Sequence, residues 1–315
     1  MAARATRSAS RKARITEAVA TGPLGALSHD ELGVIVDGLA DPLQPVVAVA
    51  LSSTCLGLRT PLRAALEVLK ERHERVVAFC ARLEGTCAEM RGEKELYLVG
   101  EKLTTTEMAT LGMILRSNSL PTLRALNLSC NYFGDAGLQA LCEGLGLGSC
   151  PSLIALSLES NHLGTAGAEA LAAAIRRGAM PNLESLVLAD NPDFGNQTVA
   201  ELAPALRKLP LLLTLSLWEC GIGDAGVASL VDNLGKDDFK ALETLDLDFN
   251  KVTDKGCATL AKALKAGALP SLTQLEFTDF GHHPPERNNP ASDAAKDAVQ
   301  QALMARPGYL PPTLP

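Results

Sequence analysis

A leucine recurs along this chain at an almost constant interval of about 30 residues. The series is Leu96, Leu126, Leu156, Leu186, Leu215, Leu245 and Leu275. A fixed period of this length indicates one supersecondary unit that is copied along the chain, each copy contacting mainly its neighbours. The sequence therefore predicts a solenoid, and it directs the search for function to a repeated surface.

Each copy contains a short alternating segment, a turn and an amphipathic stretch. In the second copy, Leu126 and Leu128 flank a polar residue, as in a strand with one buried face. Asn131 follows, and Gly134–Gly137 leads into leucines at helical spacing. A short carboxylate at a predicted helix start can accept free backbone N–H groups, and three copies have one: Asp135, Asp224 and Asp254.

The pattern LxxLxLxxN/CxL over residues 93–290 resembles the leucine-rich repeat, and its period and Gly-Asp-Ala-Gly segment resemble the ribonuclease-inhibitor-like subtype. The resemblance implies an α/β solenoid, a horseshoe of about seven strand–helix repeats with strands on the concave side. It also implies a ladder of side chains that bond backbone groups of neighbouring coils, here Asn131, Asn161, Asn191, Cys220 and Asn250. Glu101 and Phe280 occupy this position in the terminal copies, so we expect the ladder to end there.

The segment before the repeats does not follow the period. Residues 24–60 resemble an F-box, with Asp41-Pro42 in place and Ser28 where that family usually has proline. The resemblance implies docking to a Skp-type adaptor of cullin–RING ubiquitin ligases through Leu27, Leu32, Ile35 and Leu39. Two alternatives stay open: a helical cap that covers the first coil, built on an amphipathic helix over 61–83, or another docking helix.

These patterns divide the chain into four parts. Residues 1–23 form a basic tail, 24–90 the helical F-box-like or capping segment, 91–290 the repeats, and 291–315 a capping helix and tail. The capping helix is expected over 292–305, with Ala295, Val299 and Leu303 facing the last coil. The basic tail is interpreted as disordered, as an organellar transit peptide or as a nuclear import signal.

Composition limits the function classes. Removing the five positive charges of the first fourteen residues takes the net charge from −7 to −12, which argues against nucleic-acid binding by the main body. The eight cysteines form no CxxC pair, and with no recognisable signal peptide we expect buried, reduced thiols, including the nearby Cys80 and Cys87. Because no apolar run approaches about 20 residues, a membrane span is not expected. We expect a cytoplasmic or nuclear monomer, unless the basic tail directs it to an organelle.

The outward residues of the strands are the expected binding surface. A central row consists of Tyr97, Asn127, Ser157, Val187, Ser216, Asp246 and Glu276. An adjacent row consists of Val99, Ser129, Glu159, Ala189, Trp218, Asp248 and Thr278. Tryptophan is enriched where binding energy concentrates, so Trp218 among carboxylates predicts a partner protein with a basic surface. The candidate binding residues are Trp218, Asp246, Asp248, Glu276, Glu159 and Tyr97; the alternative is that Trp218 only packs on neighbouring strands.

Enzyme motifs are not found in the sequence. Asp246 and Asp248 form a carboxylate pair on an open surface, and His282-His283 lies in a Gly/Pro/Asn-rich loop, so neither catalysis, a metal nor a cofactor is expected. Ran GTPase-activating proteins resemble the repeat region, but they usually have more repeats and an acidic tail, unlike 309–315 here. The sequence thus predicts a non-catalytic interaction scaffold, with three specific roles open: ligase substrate receptor, plain interaction module or GTPase activator.

Overall fold

The computed structural model describes residues 41–46, 49–50, 63–235, 237–277, 289–306 and 309. The chain divides into two compact units, Met1–Arg91 and Gly92–Pro315. In the first unit, helix α1 (Arg63–Arg82) is followed by the short helix α2 (Cys87–Gly92), whose last residue begins the second unit. Across the described residues, no helix is both long enough and apolar enough to cross a bilayer.

The second unit alternates three-residue strands with helices. The strands are β1 (Glu95–Tyr97), β2 (Ala125–Asn127), β3 (Ala155–Ser157), β4 (Ser185–Val187), β5 (Thr214–Ser216), β6 (Thr244–Asp246) and β7 (Gln274–Glu276). The helices are α3 (Thr105–Arg116), α4 (Gly134–Cys142), α5 (Thr165–Arg176), α6 (Gly195–Leu206), α7 (Asp224–Val231), α8 (Asp254–Lys265) and α9 (Asp293–Met304).

The seven strands form one parallel sheet in chain order. The periodic leucines pair with one another from Leu96 with Leu126 through to Leu245 with Leu275. Neighbouring helices from α3 to α9 pack against each other in the same order. The predicted α/β solenoid of seven strand–helix repeats is therefore confirmed.

The core lies between the sheet and the helices. From β2 onwards the central leucine of each strand is buried, as Leu126 is. The residue two positions later, a leucine in β2 to β6 and Phe277 in β7, is buried as well. Helix α4 contributes Leu138 and Leu141 to the same core. In the first strand Leu96 is only half-buried.

The turn after each strand has a repeated backbone conformation. The residue before the ladder position has a positive φ in five successive copies: Cys130 (60°), Ser160 (54°), Asp190 (51°), Glu219 (49°) and Phe249 (56°). Non-glycine residues adopt this left-handed region rarely. Its recurrence at one position shows that the turn geometry is imposed by the stacking of the coils.

Asn161 illustrates how the side-chain ladder joins the coils. Its Nδ2 donates to the carbonyls of Leu128 at 2.9 Å and Glu159 at 3.0 Å, and its Oδ1 accepts the Asn131 N–H at 3.0 Å. Asn131, Asn191 and Asn250 bond backbone groups in the same way. At the fifth position the Cys220 thiol donates to the Leu188 carbonyl at 3.2 Å and accepts the Asn191 N–H.

The side-chain ladder extends by one more residue beyond Asn250, the last ladder residue that the repeat pattern predicts. Asn289 is buried, its Oδ1 accepts the Val252 N–H at 3.1 Å, and its Nδ2 donates to the Leu247 carbonyl at 2.9 Å. Phe280, which was assigned to this position, lies outside the described residues. The last copy thus has a longer connection between its strand and its ladder residue than the period suggests.

A second set of bonds joins the helix starts, and it differs from the expectation. Asp135, Asp224 and Asp254 accept N–H groups of the next coil, not of their own helix. Asp224 Oδ1 accepts the Thr253 N–H at 2.8 Å and the Gly256 N–H at 3.0 Å. Asp135 accepts the Gly164 N–H at 2.7 Å, and Asp254 that of Ser292 at 2.6 Å.

In two copies, a glycine in the first turn of the helix leaves room for the carboxylate of the preceding coil. A Cβ on Gly167 would lie 2.6 Å from Asp135 Oδ1, and one on Gly256 would lie 2.5 Å from Asp224 Oδ1. These distances are shorter than van der Waals contact, so a side chain would displace the carboxylate. Gly137, which ends a Gly-Asp-Ala-Gly segment, is instead closest to Phe133 of its own coil.

Helix α9 packs against α8 and covers the end of the repeats. Ser292 caps it by accepting the Ala295 N–H at 3.3 Å. Val299 and Leu303 are buried, and Ala295 is half-buried. Asp254 accepts the N–H of Ser292 at the start of this helix, just as Asp135 and Asp224 accept N–H groups at the start of the helix in the next repeat.

Helix α1 organises the described part of the first unit. It buries Leu69, Val76, Phe79 and Cys80, which are spaced along one face. His73 Nδ1 lies 2.7 Å from the Pro42 carbonyl oxygen, and Arg91 forms an ion pair with Asp41. The Asp41-Pro42 turn is thereby tied to both helices.

Candidate functional site

The polar side of the sheet, opposite the buried leucines, is called the open face here. The first and third residues of β2 to β7 are half-exposed on this side. At its N-terminal end Tyr97 is 61% exposed and Val99 is 47% exposed. The Tyr97 hydroxyl donates to Glu95 Oε2 at 2.9 Å, and Glu159 is half-exposed two coils further on. This half of the open face carries mostly small or uncharged side chains.

Two residues expected on the open face are buried. Ser129 is 4% exposed and Ala189 is 6% exposed. Ser129 Oγ donates to Asn127 Oδ1 at 2.6 Å and lies 2.8 Å from Ser157 Oγ. Both side chains are small and lie in the turn, so larger neighbours cover them. The adjacent row is consequently available for binding only where it carries a large or charged residue.

Trp218 packs on a neighbouring coil and still keeps part of its surface exposed. Its indole meets the Phe249 ring edge-on, with centroids 5.3 Å apart and the planes at 63°. Both residues are half-buried. Aromatic pairs of this geometry contribute about 0.5–1.5 kcal/mol beyond area burial. Trp218 therefore packs against Phe249 and still leaves part of its indole accessible to a partner.

Three carboxylates converge in the C-terminal half of the open face. Ligand oxygens of Asp246, Asp248 and Glu276 lie within 4.8 Å of one another. The strand register places Asp246 directly beside Glu276, and Asp248 follows two residues after Asp246. We call these three residues the acidic cluster.

Hydrogen bonds hold the acidic cluster in place. Asp246 Oδ2 accepts from Ser216 Oγ at 2.8 Å, and its Oδ1 accepts the Asp248 N–H at 3.0 Å. Gln274 donates to Glu276 Oε1 at 2.6 Å. Ser216 of the neighbouring strand thus positions Asp246, and Gln274 of the same strand positions Glu276, before any partner binds.

Burial disfavours the charged forms of Asp246 and Glu276, and the charge of Asp246 adds to this effect at Glu276. Burial raises the pKa of Asp246, against the opposing bonds from Asp248 and Ser216. Burial, and then the charge of Asp246, raises the pKa of Glu276. A cation at this position would offset both effects. The three carboxylates offer oxygen ligands to a hard divalent cation and acceptors to an ammonium or guanidinium group.

Three further residues of this region were missed from the sequence. Phe249 supports Trp218, while Asp190 and Glu219 lie near enough for their charges to affect Cys220. Burial first, and then the charges of Asp246, Asp190 and Glu219, raise the pKa of the Cys220 thiol to about 12. All three missed residues occupy the left-handed turn position, a signal that a search for strand alternation does not include.

The other predicted site residues cannot be placed. Those assigned to adaptor docking, Leu27, Leu32, Ile35 and Leu39, lie outside the described residues, as do Thr278 and His282-His283.

Comparison with known proteins gives one family. A model described as leucine-rich repeat matches residues 119–142, 149–172 and 241–261. No curated protein matches the chain significantly. The matched segments contain the strands β2, β3 and β6 and all or the first part of the helix that follows each strand. With the seven leucines in register across one parallel sheet, these matches show that the chain contains leucine-rich repeats.

Proposed function

We propose that the chain is a non-catalytic protein-interaction module whose open face binds a basic surface of a partner protein. The observation that carries this proposal is the half-exposed Trp218 in the same half of the open face as the acidic cluster. Solenoid repeats present extended surfaces of this kind to protein partners. Trp218 supplies contact area, and Asp246, Asp248 and Glu276 supply charge complementarity.

The acidic cluster and the net charge of the chain both favour a cationic partner. A bound lysine or arginine would offset the burial, and then the repulsion by Asp246, that raise the pKa of Glu276. The acidic net charge of −7 would also accelerate the approach of a basic protein at low ionic strength. Tyr97, Val99 and Glu159 would form the less charged end of the same interface.

The proposal is tested with peptides of defined charge. Lysine- and arginine-rich peptides, with neutral and glutamate-rich peptides of equal length, are titrated into the full chain by calorimetry. The variant Asp246→Asn/Asp248→Asn/Glu276→Gln removes the acidic cluster. A matched variant, Glu169→Gln/Glu201→Gln/Asp297→Asn, removes three acids from helices α5, α6 and α9 and changes the net charge equally.

We expect the basic peptides to bind and the cluster variant to lose affinity by at least about tenfold. The matched helix variant should keep most of the affinity, with only the small loss due to net charge. Equal losses in both variants would show that binding reports net charge alone and would contradict the proposed site.

The finer role that we propose is that of a ubiquitin-ligase substrate receptor. The F-box-like sequence of residues 24–60 supports this role. In it, residues 24–60 would bind the adaptor and the open face would bind the substrate. Co-purification of a Skp adaptor with the full chain, and its loss on deletion of 24–60, would agree with this role. No adaptor in either sample would leave a plain interaction module.

A GTPase-activating role is the alternative suggested by resemblance to Ran GTPase-activating proteins over the repeats. It requires faster GTP hydrolysis by Ran in the presence of the chain. No acceleration at micromolar concentrations of the protein would exclude it.

A further inference from the structure

Three sulfur atoms meet in the first unit, away from the residues of the open face in sequence. Cys80 lies in the last turn of α1, while Cys87 and Met90 lie on α2. Cys80 Sγ is 3.7 Å from Met90 Sδ, and the Cys87 thiol lies near enough to the Cys80 thiol to interact with it. Two thiols and a thioether therefore converge on one point, although the sequence shows no CxxC pair.

The turn between the two helices is fixed by local hydrogen bonds. The N–H groups of Leu83 and Gly85 donate to the Cys80 carbonyl at 3.1 and 2.9 Å. Thr86 and Glu89 form a reciprocal capping pair: the Thr86 N–H donates to Glu89 Oε2 at 2.8 Å, and the Glu89 N–H to Thr86 Oγ1 at 3.2 Å. The direction in which α2 leaves the turn is thus set by groups other than the sulfurs.

The spacing on α2 directs two of the sulfurs to the third. Cys87 and Met90 are three residues apart, so they share one face of the helix. Cys80 is 1% exposed and Met90 is 6% exposed, whereas Cys87 is half-buried. An ion can therefore reach the cluster past Cys87, while the other two donors stay in apolar surroundings that include Val76 and Phe79.

We propose that Cys80, Cys87 and Met90 form a binding site for a soft monovalent metal ion, Cu(I). Thiolate and thioether donors select Cu(I) over hard cations. Metal–sulfur bonds of about 2.3 Å in a trigonal arrangement place the sulfurs about 4 Å apart, close to the observed separation of Cys80 and Met90. Binding forms three metal–sulfur bonds and releases the two thiol protons to solvent, and copper stays Cu(I).

The test uses the reduced full chain under anaerobic conditions, titrated with Cu(I) against the chromophoric chelator bicinchoninate. We expect one Cu(I) to be retained per chain. Cys87→Ser removes one ligand, and Met90→Leu removes the thioether while conserving volume. Matched controls are Cys257→Ser and Met108→Leu, which alter a buried thiol and a buried thioether in the repeats.

We expect the affinity for Cu(I) to fall at least about tenfold in Met90→Leu and about a hundredfold in Cys87→Ser, with both controls unchanged. Circular dichroism establishes that each variant is folded. Equal affinity in Met90→Leu and in the native chain would overturn the proposal. Oxidation of Cys80 and Cys87 to a disulfide without retained copper, seen as the loss of two hydrogens by mass spectrometry, would overturn it too.

Discussion

The indole of Trp218 meets the ring of Phe249 edge-on across two adjacent coils, with the ring centroids 5.3 Å apart. Phe249 occupies the left-handed turn position, with φ of 56°, and so projects from a backbone that the stacked coils hold in place. The contact restrains the indole before a partner arrives, which reduces the conformational entropy lost on binding.

The first prediction concerns this pair. Trp218→Ala should weaken binding of a basic partner by about 2 kcal/mol or more, because a large, partly desolvated contact is lost. Phe249→Ala should weaken it less, since the indole remains but loses its support. Calorimetric titration measures both effects. Unchanged affinity in Trp218→Ala, combined with a lower unfolding temperature, would show that Trp218 is only structural.

The second prediction concerns the ladder. Asn161→Ala should lower the free energy of unfolding by about 3 kcal/mol, because it leaves buried backbone groups of two coils without their partners. Urea denaturation measures the change. Cys220→Ala at the equivalent position should cost less, since a thiol forms weaker hydrogen bonds than an amide. A larger loss in Cys220→Ala than in Asn161→Ala would contradict this account of the ladder.

The third prediction concerns the contact between Asp135 and Gly167. Gly167→Ala should destabilise the chain by about 1–3 kcal/mol, because the new Cβ would lie 2.6 Å from Asp135 Oδ1. The same substitution in an Asp135→Ala background should cost clearly less, since the displaced carboxylate is gone. A double-mutant cycle in urea measures this coupling. Additive costs would show that the glycine is required for another reason.

The fourth prediction concerns pH. The folded chain raises the pKa of Glu276 above its ordinary 4.5, so the folded state binds its proton more tightly than the unfolded state does. Stability is therefore lost as pH rises from about 4.5 through the raised folded pKa. Glu276→Gln should raise the free energy of unfolding at pH 7 by a few tenths of a kcal/mol, a small gain because the group is partly solvated.

This gain should vanish below pH 4.5, where Glu276 is protonated in both states. Urea denaturation across pH 3.5 to 7.5 follows the difference between the two proteins. A difference that does not change with pH would attribute the effect to packing and not to charge.

The strand register could be predicted because it depends on a local signal. Each periodic leucine marks the centre of a strand, and copies of one unit stack with equivalent residues adjacent, as Leu215 and Leu245 do. The capping helix was predicted for the same reason, from its own spacing of apolar residues.

The remaining contacts depend on the offset between coils, which one copy does not encode. Asp224 bonds Thr253 and Gly256 of the next coil, and Ser129 is buried by its neighbours, although each looks like a surface residue in its own copy. Asn289 takes the ladder position of the last copy, although it lies further from its strand in sequence than the 30-residue period predicts. At the open face, the acidic residues could be predicted, but the support from Phe249 required the turn geometry.

The central claim is that Trp218 and the acidic cluster bind a basic partner, and Trp218 reports on it directly because it is the only tryptophan in the chain. Its fluorescence emission is measured while a lysine- and arginine-rich peptide is titrated into the full chain. We predict a saturable change in emission that is weakened in Asp246→Asn/Asp248→Asn/Glu276→Gln and kept in the matched helix variant. Unchanged emission at a peptide concentration that saturates calorimetric binding would contradict the claim.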